Sequence, residues 1–159
     1  MGRQRRLRLC RTVAKKVTSE NQGTKVAADT LDQLLKKARS AAETAYAPYS
    51  RFRVGAAVLA DGEIFTGFNV ENASYGLTVC AERTAIFNAV TKGHRRIDAV
   101  AVACIDAAPD AEPSSRMPCG ACRQVIAEFA SPDTTVIVDG VGQTSLGRLL
   151  PEPFTLKTP

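Results

Sequence analysis

No stretch of this 159-residue chain approaches the roughly 18 consecutive apolar residues of a membrane-spanning helix, so no membrane partner is expected. Nor does the N-terminus carry the apolar core of a secretory signal, because Arg5, Arg6, Arg8 and Arg11 interrupt it. The cytosol is therefore the expected compartment. Internal repeats and sustained low-complexity tracts are also missing, and the length fits one domain with a sizeable core of its own. The chain further lacks an excess of basic charge outside its first residues. Its formal charge is +5, but residues 1–23 hold seven Lys or Arg (Arg3, Arg5, Arg6, Arg8, Arg11, Lys15, Lys16) against the single acid Glu20. Taking that +6 from +5 leaves −1 for residues 24–159. The body has no electrostatic footprint for nucleic acid, and the pI near 9.1 reports mainly the tail.

What is present is ordinary for a folded domain: 45% hydrophobic and 23% charged residues. Residues 1–23 read as a basic, disordered extension and residues 24–159 as the domain, beginning near Thr24. The Arg-rich, acid-poor extension fits an organellar transit peptide, although a passive extension is the simpler account.

Leu31, Leu34, Leu35, Ala38, Ala42 and Ala45 recur at helical spacing behind a Thr30-x-x-Gln33 capping-box pattern, and Pro48 ends that helix. Phe52 to Leu59, a turn at Asp61-Gly62 and Ile64 to Val70 read as a β-hairpin. A second helix is expected from Val79 to Lys92, stopped by Gly93. Ile97 to Ile105 is a continuous apolar run, as in a strand covered on both faces. Asp106 to Met117, broken at Pro109, Pro113 and Arg116, reads as a loop. A third helix follows Pro118 through Ala130, Thr134 to Val138 is the last clear strand, and Leu146 to Leu150 suits one helical turn. The order αββαβαβ implies a sheet with helices on both faces.

Five cysteines, odd in number and unevenly spaced, point to metal or thiol chemistry more than to disulfides. Cys104 lies in the apolar run and reads as a small buried hydrophobe, while Cys10 lies in the basic tail. Pro118-Cys119-Gly120-Ala121-Cys122 puts two thiols on one face of a helix start, where both can meet one metal and the helix N–H groups favour thiolate. Alone, that spacing also serves redox sites and structural zinc. Thr78-Val79-Cys80-Ala81-Glu82-Arg83 makes it specific by supplying a third soft ligand at another helix start. Residues two apart do not share a helical face, so Glu82 can sit beside the metal without ligating it. Three cysteines leave the fourth tetrahedral position for water, as in a catalytic zinc site, and one Zn2+ per subunit is the expected cofactor. The set resembles that of the zinc deaminases, with three cysteines or one histidine and two cysteines as ligands, a non-ligating Glu and a downstream P-C-x-x-C.

The resemblance extends further. Tyr49-Ser50-Arg51-Phe52-Arg53-Val54-Gly55-Ala56, Asn69-Val70-Glu71-Asn72-Ala73-Ser74-Tyr75-Gly76, Cys80-Ala81-Glu82-Arg83 and Pro118-Cys119-Gly120-Ala121-Cys122-Arg123-Gln124 resemble successive motifs of the small homotetrameric cytidine deaminases. The likeness covers roughly residues 27–155. It implies a three-layer α/β/α fold with a mixed sheet of about five strands, and a homotetramer acting on a small-molecule nucleoside. The implied reaction converts cytidine and 2′-deoxycytidine to uridine and 2′-deoxyuridine with release of ammonia, in pyrimidine salvage.

By the same resemblance, Cys80, Cys119 and Cys122 hold zinc, and Glu82 carries protons from water to the ring nitrogen and the leaving amine. Zinc with three thiolates sums to −1, which opposes acidifying water. Arg83 is expected to hydrogen-bond the ligand sulfurs and offset that charge. The counterpart of Phe52 stacks on the pyrimidine, and those of Asn69 and Glu71, flanking Val70, read the ribose 3′-hydroxyl. A carboxylate there repels a 3′-phosphate, which suits a free nucleoside. Tyr75 and Phe154 resemble residues that complete a neighbouring subunit's site. Spacing by itself leaves plainer readings open: Phe52 as core, Asn69 and Glu71 as solvent residues at a hairpin end, Arg83 as a surface ion pair.

The only histidine, His94, reads as a surface residue beyond a helix C-terminus and does not fit a ligand position. A structural zinc module would need a fourth ligand from Cys104, Cys10 or His94, and it leaves Glu82 without a role. Within enzymes, the alternative substrate is another cytosine nucleoside, such as a blasticidin-type antibiotic.

Overall fold

Leu31, Leu34, Ala38 and Ala42 form the buried stripe of helix α1 (Ala28–Ala42) in a computed structural model that describes residues 26–156. The basic extension and the expected boundary at Thr24 lie outside the described residues. Helix α1 begins ahead of the capping-box pattern. Ala27 is the residue before its first turn, and Thr30 lies inside that turn, its N–H donating to Ala27 O at 3.1 Å. Alanines are strong helix formers, so the helix extends upstream of Thr30 and forgoes a side-chain cap.

The hairpin forms as expected, from β1 (Val54–Ala60) and β2 (Glu63–Phe68). Asp61 and Gly62 both take positive φ, 49° and 87°, as a two-residue hairpin turn requires. Helix α2 (Ala81–Thr91) ends where Gly93 adopts φ 98°. There the N–H groups of Gly93 and His94 bond back to Val90 O and Ala89 O, which satisfies the last carbonyls of the helix. Strand β3 (Ile97–Cys104), helix α3 (Gly120–Phe129), strand β4 (Ala130–Val138), strand β5 (Gly142–Ser145) and helix α4 (Leu146–Leu149) follow.

Strand β5 was not expected. It is a short polar edge strand, Gly-Gln-Thr-Ser, without the hydrophobic alternation that marks a strand in sequence. Strand β4 also starts earlier than Thr134. Ile97 pairs with Ala130 and Ala99 with Thr135, so the intervening segment, with Pro132 and Asp133 exposed, departs from the regular ladder.

The five strands make one mixed sheet in the order β2-β1-β3-β4-β5, parallel only between β3 and β4. Helix α1 covers the face formed by Ala57, Ala99, Ala101 and Ala103. The other face, with Ala56, Val58, Val100, Val102, Val136 and Val138, packs against α2, Ile126 of α3 and Leu146 of α4. This is the expected three-layer arrangement. The small side chains let α1 approach closely: a Cβ on Gly55 would lie 2.0 Å from Ala38 O. On the opposite face, a Cβ on Gly67 would lie 2.3 Å from Ala85 N of α2. Helices α2 and α3 also touch each other, which brings their first turns into one neighbourhood.

Candidate active site

Two helix starts supply all three sulfurs. Cys80 immediately precedes α2 and Cys119 immediately precedes α3, both with extended backbone (φ −73° and −67°). Ser, Thr or Asp usually occupies that position and caps the helix with its side chain. Neither cysteine caps, so both sulfurs remain available. Cys122, three residues along α3, is fully buried. The three Sγ atoms lie within 4.8 Å of one another, with Cys119 and Cys122 at 3.5 Å. Tetrahedral zinc with bonds of about 2.3 Å needs sulfurs about 3.8 Å apart, so this trio fits zinc.

Backbone ties fix these positions. Val70 and Val79 exchange N–H···O bonds of 2.9 and 3.0 Å, which anchors the residue before Cys80 to the end of the hairpin. Arg123 donates from Nε to Pro118 O at 2.8 Å and from Nη1 to Leu149 O at 2.9 Å, holding the turn into α3 against α4.

Glu82, in the first turn of α2, is 4% exposed, and burial holds its carboxyl above the usual carboxylate range. It is not one of the three clustered ligands. Arg83 Nη2 donates to Thr78 O at 3.0 Å and lies 3.5 Å from Cys80 Sγ. Its Nε is buried with no hydrogen-bond partner. The Cys80 thiol is drawn down to about 5, first by the neighbouring Cys122 thiol and then by Arg83, against the burial that raises it. The neighbouring Cys80 sulfur and burial push the Cys122 thiol up.

The remaining expected site residues are placed as follows. Phe52 is half-buried and joins neither hydrophobic cluster. Asn69 is buried; its Oδ1 accepts from Val54 N–H at 2.8 Å and its Nδ2 donates to Phe52 O at 2.9 Å. One amide hydrogen and one lone pair remain for another partner. Glu71 accepts from Tyr49 N–H, Ser50 N–H and the Ser50 hydroxyl, and the hydroxyl is the main cause holding its carboxyl below the usual range. Val70 uses its backbone on Val79 and leaves its side chain exposed. Tyr75 and Phe154 are 80% and 70% exposed.

Sequence reading gave no role to Ser50, Arg123 or Gln124. Gln124 grips both main-chain groups of Phe154, with Nε2 to O at 2.8 Å and N to Oε1 at 3.1 Å. All three lie in the quoted motif blocks, which was the available signal. His94 is less exposed than expected: its ring stands 4.8 Å from that of Phe65, and Nδ1 lies 3.2 Å from Asp61 Oδ2. Cys104 is half-buried at the end of β3, its S–H directed to Arg116 O, and burial pushes the thiol up to about 11. Neither residue joins the sulfur cluster, so among the described residues no fourth protein ligand completes a structural zinc site. Cys10 lies outside the described residues.

Comparison with known proteins agrees with this geometry. Residues 28–138 match the family model described as the cytidine and deoxycytidylate deaminase zinc-binding region. The chain is 48% identical over 127 residues to a cytidine deaminase of Halalkalibacterium halodurans, covering 77% of this chain and 92% of that one. The crystal structure of a cytidine deaminase from Burkholderia pseudomallei superposes with a TM-score of 0.67 at 47% identity, covering 77% of this chain and 98% of that one. A blasticidin-S deaminase of Bacillus cereus is more distant, at 32% identity over 112 residues, covering 67% of this chain and 79% of that one.

Proposed function

The chain belongs to the cytidine and deoxycytidylate deaminase zinc-binding family, and on that premise we propose that it hydrolyses cytidine and 2′-deoxycytidine to the corresponding uridines and ammonia. The observation that carries this reading is the convergence of three sulfurs at two helix starts beside a buried glutamate that is not among them. Cys80, Cys119 and Cys122 would hold the zinc. When bound, zinc supplies the Lewis acidity that lets water add to the pyrimidine C4 at neutral pH.

The chain's own residues do the rest. Buried Glu82 accepts a proton from the attacking water, delivers it to ring N3 and then assists the departing amine. Arg83, at the Cys80 sulfur, offsets the negative charge that three thiolates place on the site. Phe52 stacks on the base, while Asn69 and Glu71, linked through Val70, read the ribose 3′-hydroxyl.

Tyr75 and Phe154 are exposed and open to contact with another copy, and together with the motif resemblance this supports a homotetramer whose sites are completed by neighbours. Residues 24–159 form the catalytic domain, and the protein acts in cytosolic pyrimidine salvage. The likeness to a blasticidin-S deaminase supports a second substrate reading, a cytosine nucleoside antibiotic.

The test is the ultraviolet absorbance of cytidine incubated with the zinc-loaded protein, beside Glu82→Gln. Conversion by the wild type, with zinc retained but turnover lost in the variant, is expected. No conversion of cytidine or deoxycytidine, together with turnover of blasticidin S, moves the assignment to the second reading.

A further inference from the structure

Phe52, Asn69 and Glu71 form a single hydrogen-bonded unit, with Ser50 at its centre. The Ser50 hydroxyl donates to Glu71 Oε1 and accepts from Phe52 N–H at 3.0 Å. The other carboxylate oxygen, Oε2, accepts from Ser50 N–H at 3.2 Å and Tyr49 N–H at 2.8 Å. At the far side of Phe52, its carbonyl accepts from Asn69 Nδ2 at 2.9 Å. Arg51, between Ser50 and Phe52, takes φ 55° and closes a turn through its N–H to Ala47 O at 3.0 Å. A left-handed residue other than glycine persists only where its surroundings over-determine it. The bonds of the Ser50 hydroxyl, one residue before and one residue after the Arg51 backbone, supply that constraint.

On the reading of the substrate contacts given above, we propose that Ser50 is a positioning residue for nucleoside binding. Its hydroxyl locks the Glu71 carboxylate to the Phe52 backbone, so that ribose and base are read at a fixed separation. Without the hydroxyl, Glu71 Oε1 loses its donor and Phe52 N–H its acceptor, and both contacts must be ordered again by each incoming substrate. That cost falls on binding, because the proton transfers belong to Glu82 and the sulfurs belong to two other helix starts.

The zinc-loaded full chain, Ser50→Ala, Ser50→Thr and Glu71→Gln are compared on cytidine and on 3′-deoxycytidine, which lacks the hydroxyl that Glu71 reads. Ser50→Ala is expected to raise KM for cytidine about tenfold, the factor carried by one good hydrogen bond, with kcat changed less than about threefold. Its preference for cytidine over 3′-deoxycytidine should fall by a similar factor. Ser50→Thr, which keeps the hydroxyl, should recover most of that preference, and zinc content and Tm should stay near wild type in both. An unchanged KM and preference in Ser50→Ala, with both lost in Glu71→Gln, overturns the role of Ser50 alone. Glu71→Gln indistinguishable from wild type overturns the substrate reading beneath it. Loss of zinc or a collapse of Tm in Ser50→Ala assigns the hydroxyl to folding and also overturns the proposal.

Discussion

A carboxyl that is 4% exposed loses most of its hydration, and the charged form suffers for it, so Glu82 keeps a proton to higher pH than a surface glutamate does. A group that both takes and returns protons near neutrality works best in that condition. Its neighbour does the opposite work. Arg83 stays charged and holds Thr78 O and the Cys80 sulfur with one nitrogen. Arg83→Ala is expected to bind zinc but to deaminate about 10–100-fold more slowly, since groups beside the ligands tune a metal site by that much. Metal content and turnover measured together check it, and wild-type turnover in the variant refutes charge compensation. The three cysteines and the off-face position of Glu82 were legible from local spacing at two helix starts. The expected roles of Glu82 and Arg83 came with the motif resemblance, spacing alone leaving Arg83 open as a surface ion pair. Ser50 and Gln124 were not legible, because their partners stand 21 and 30 residues away.

At the scale of elements, the close seat of α1 on the sheet depends on what is missing from β1. Gly55 faces the backbone of α1 at Ala38 and Ala42, and a methyl group there meets main-chain atoms that no rotamer change can move. Gly55→Ala should therefore destabilise the protein by at least about 3 kcal/mol, the upper end for overpacking, read as a lower urea midpoint. A midpoint within error of wild type would mean that α1 can lift off the sheet freely. The stripe of α1, the Asp61-Gly62 turn and the Gly93 stop were readable because each is a local pattern. Strand β5 and the early start of β4 were not. Both are edge or irregular pairings, set by the neighbouring strand rather than by a hydrophobic period of their own.

Ion pairs stitch the molecule together across long stretches of chain. Arg39 of α1 holds Asp139, just after β4, with its Nε at 2.7 Å, and its guanidinium is the first cause keeping that carboxyl below its ordinary 3.8. A depressed folded value stabilises above the unfolded pKa, and that contribution disappears as pH falls through the folded one. Asp139→Asn should therefore melt below wild type by a constant margin from pH 7 to 5, and the margin should close below about pH 4. The margin is expected to be small, because Arg39 reaches water. Thermal melts across that range check it, and a margin that widens in acid contradicts it. Removal of residues 1–23 is expected to leave zinc content and turnover unchanged, whereas loss of either would assign the basic extension to the working enzyme. Light scattering should find four copies per particle, and a fully active monomer would sink the shared-site role of Tyr75 and Phe154.

The deamination reaction was read from a motif resemblance, whereas local spacing marked the candidate zinc site: two cysteines three residues apart, a third at a separate helix start, and a glutamate placed off the ligand face. The sequence by itself also marked most of the elements, because hydrophobic periodicity, turn residues and glycine stops act over a few positions, although the capping pattern at Thr30 misplaced the start of α1. Tertiary structure decided which distant parts meet. Only packing of α2 against α3 brings Cys80 to Cys119 and Cys122, and only the turn before β1 closing on the end of the hairpin gives Glu71 and Phe52 a common anchor in Ser50. Hydrogen bonds and burial depend on distance in space, and sequence separation does not encode that distance.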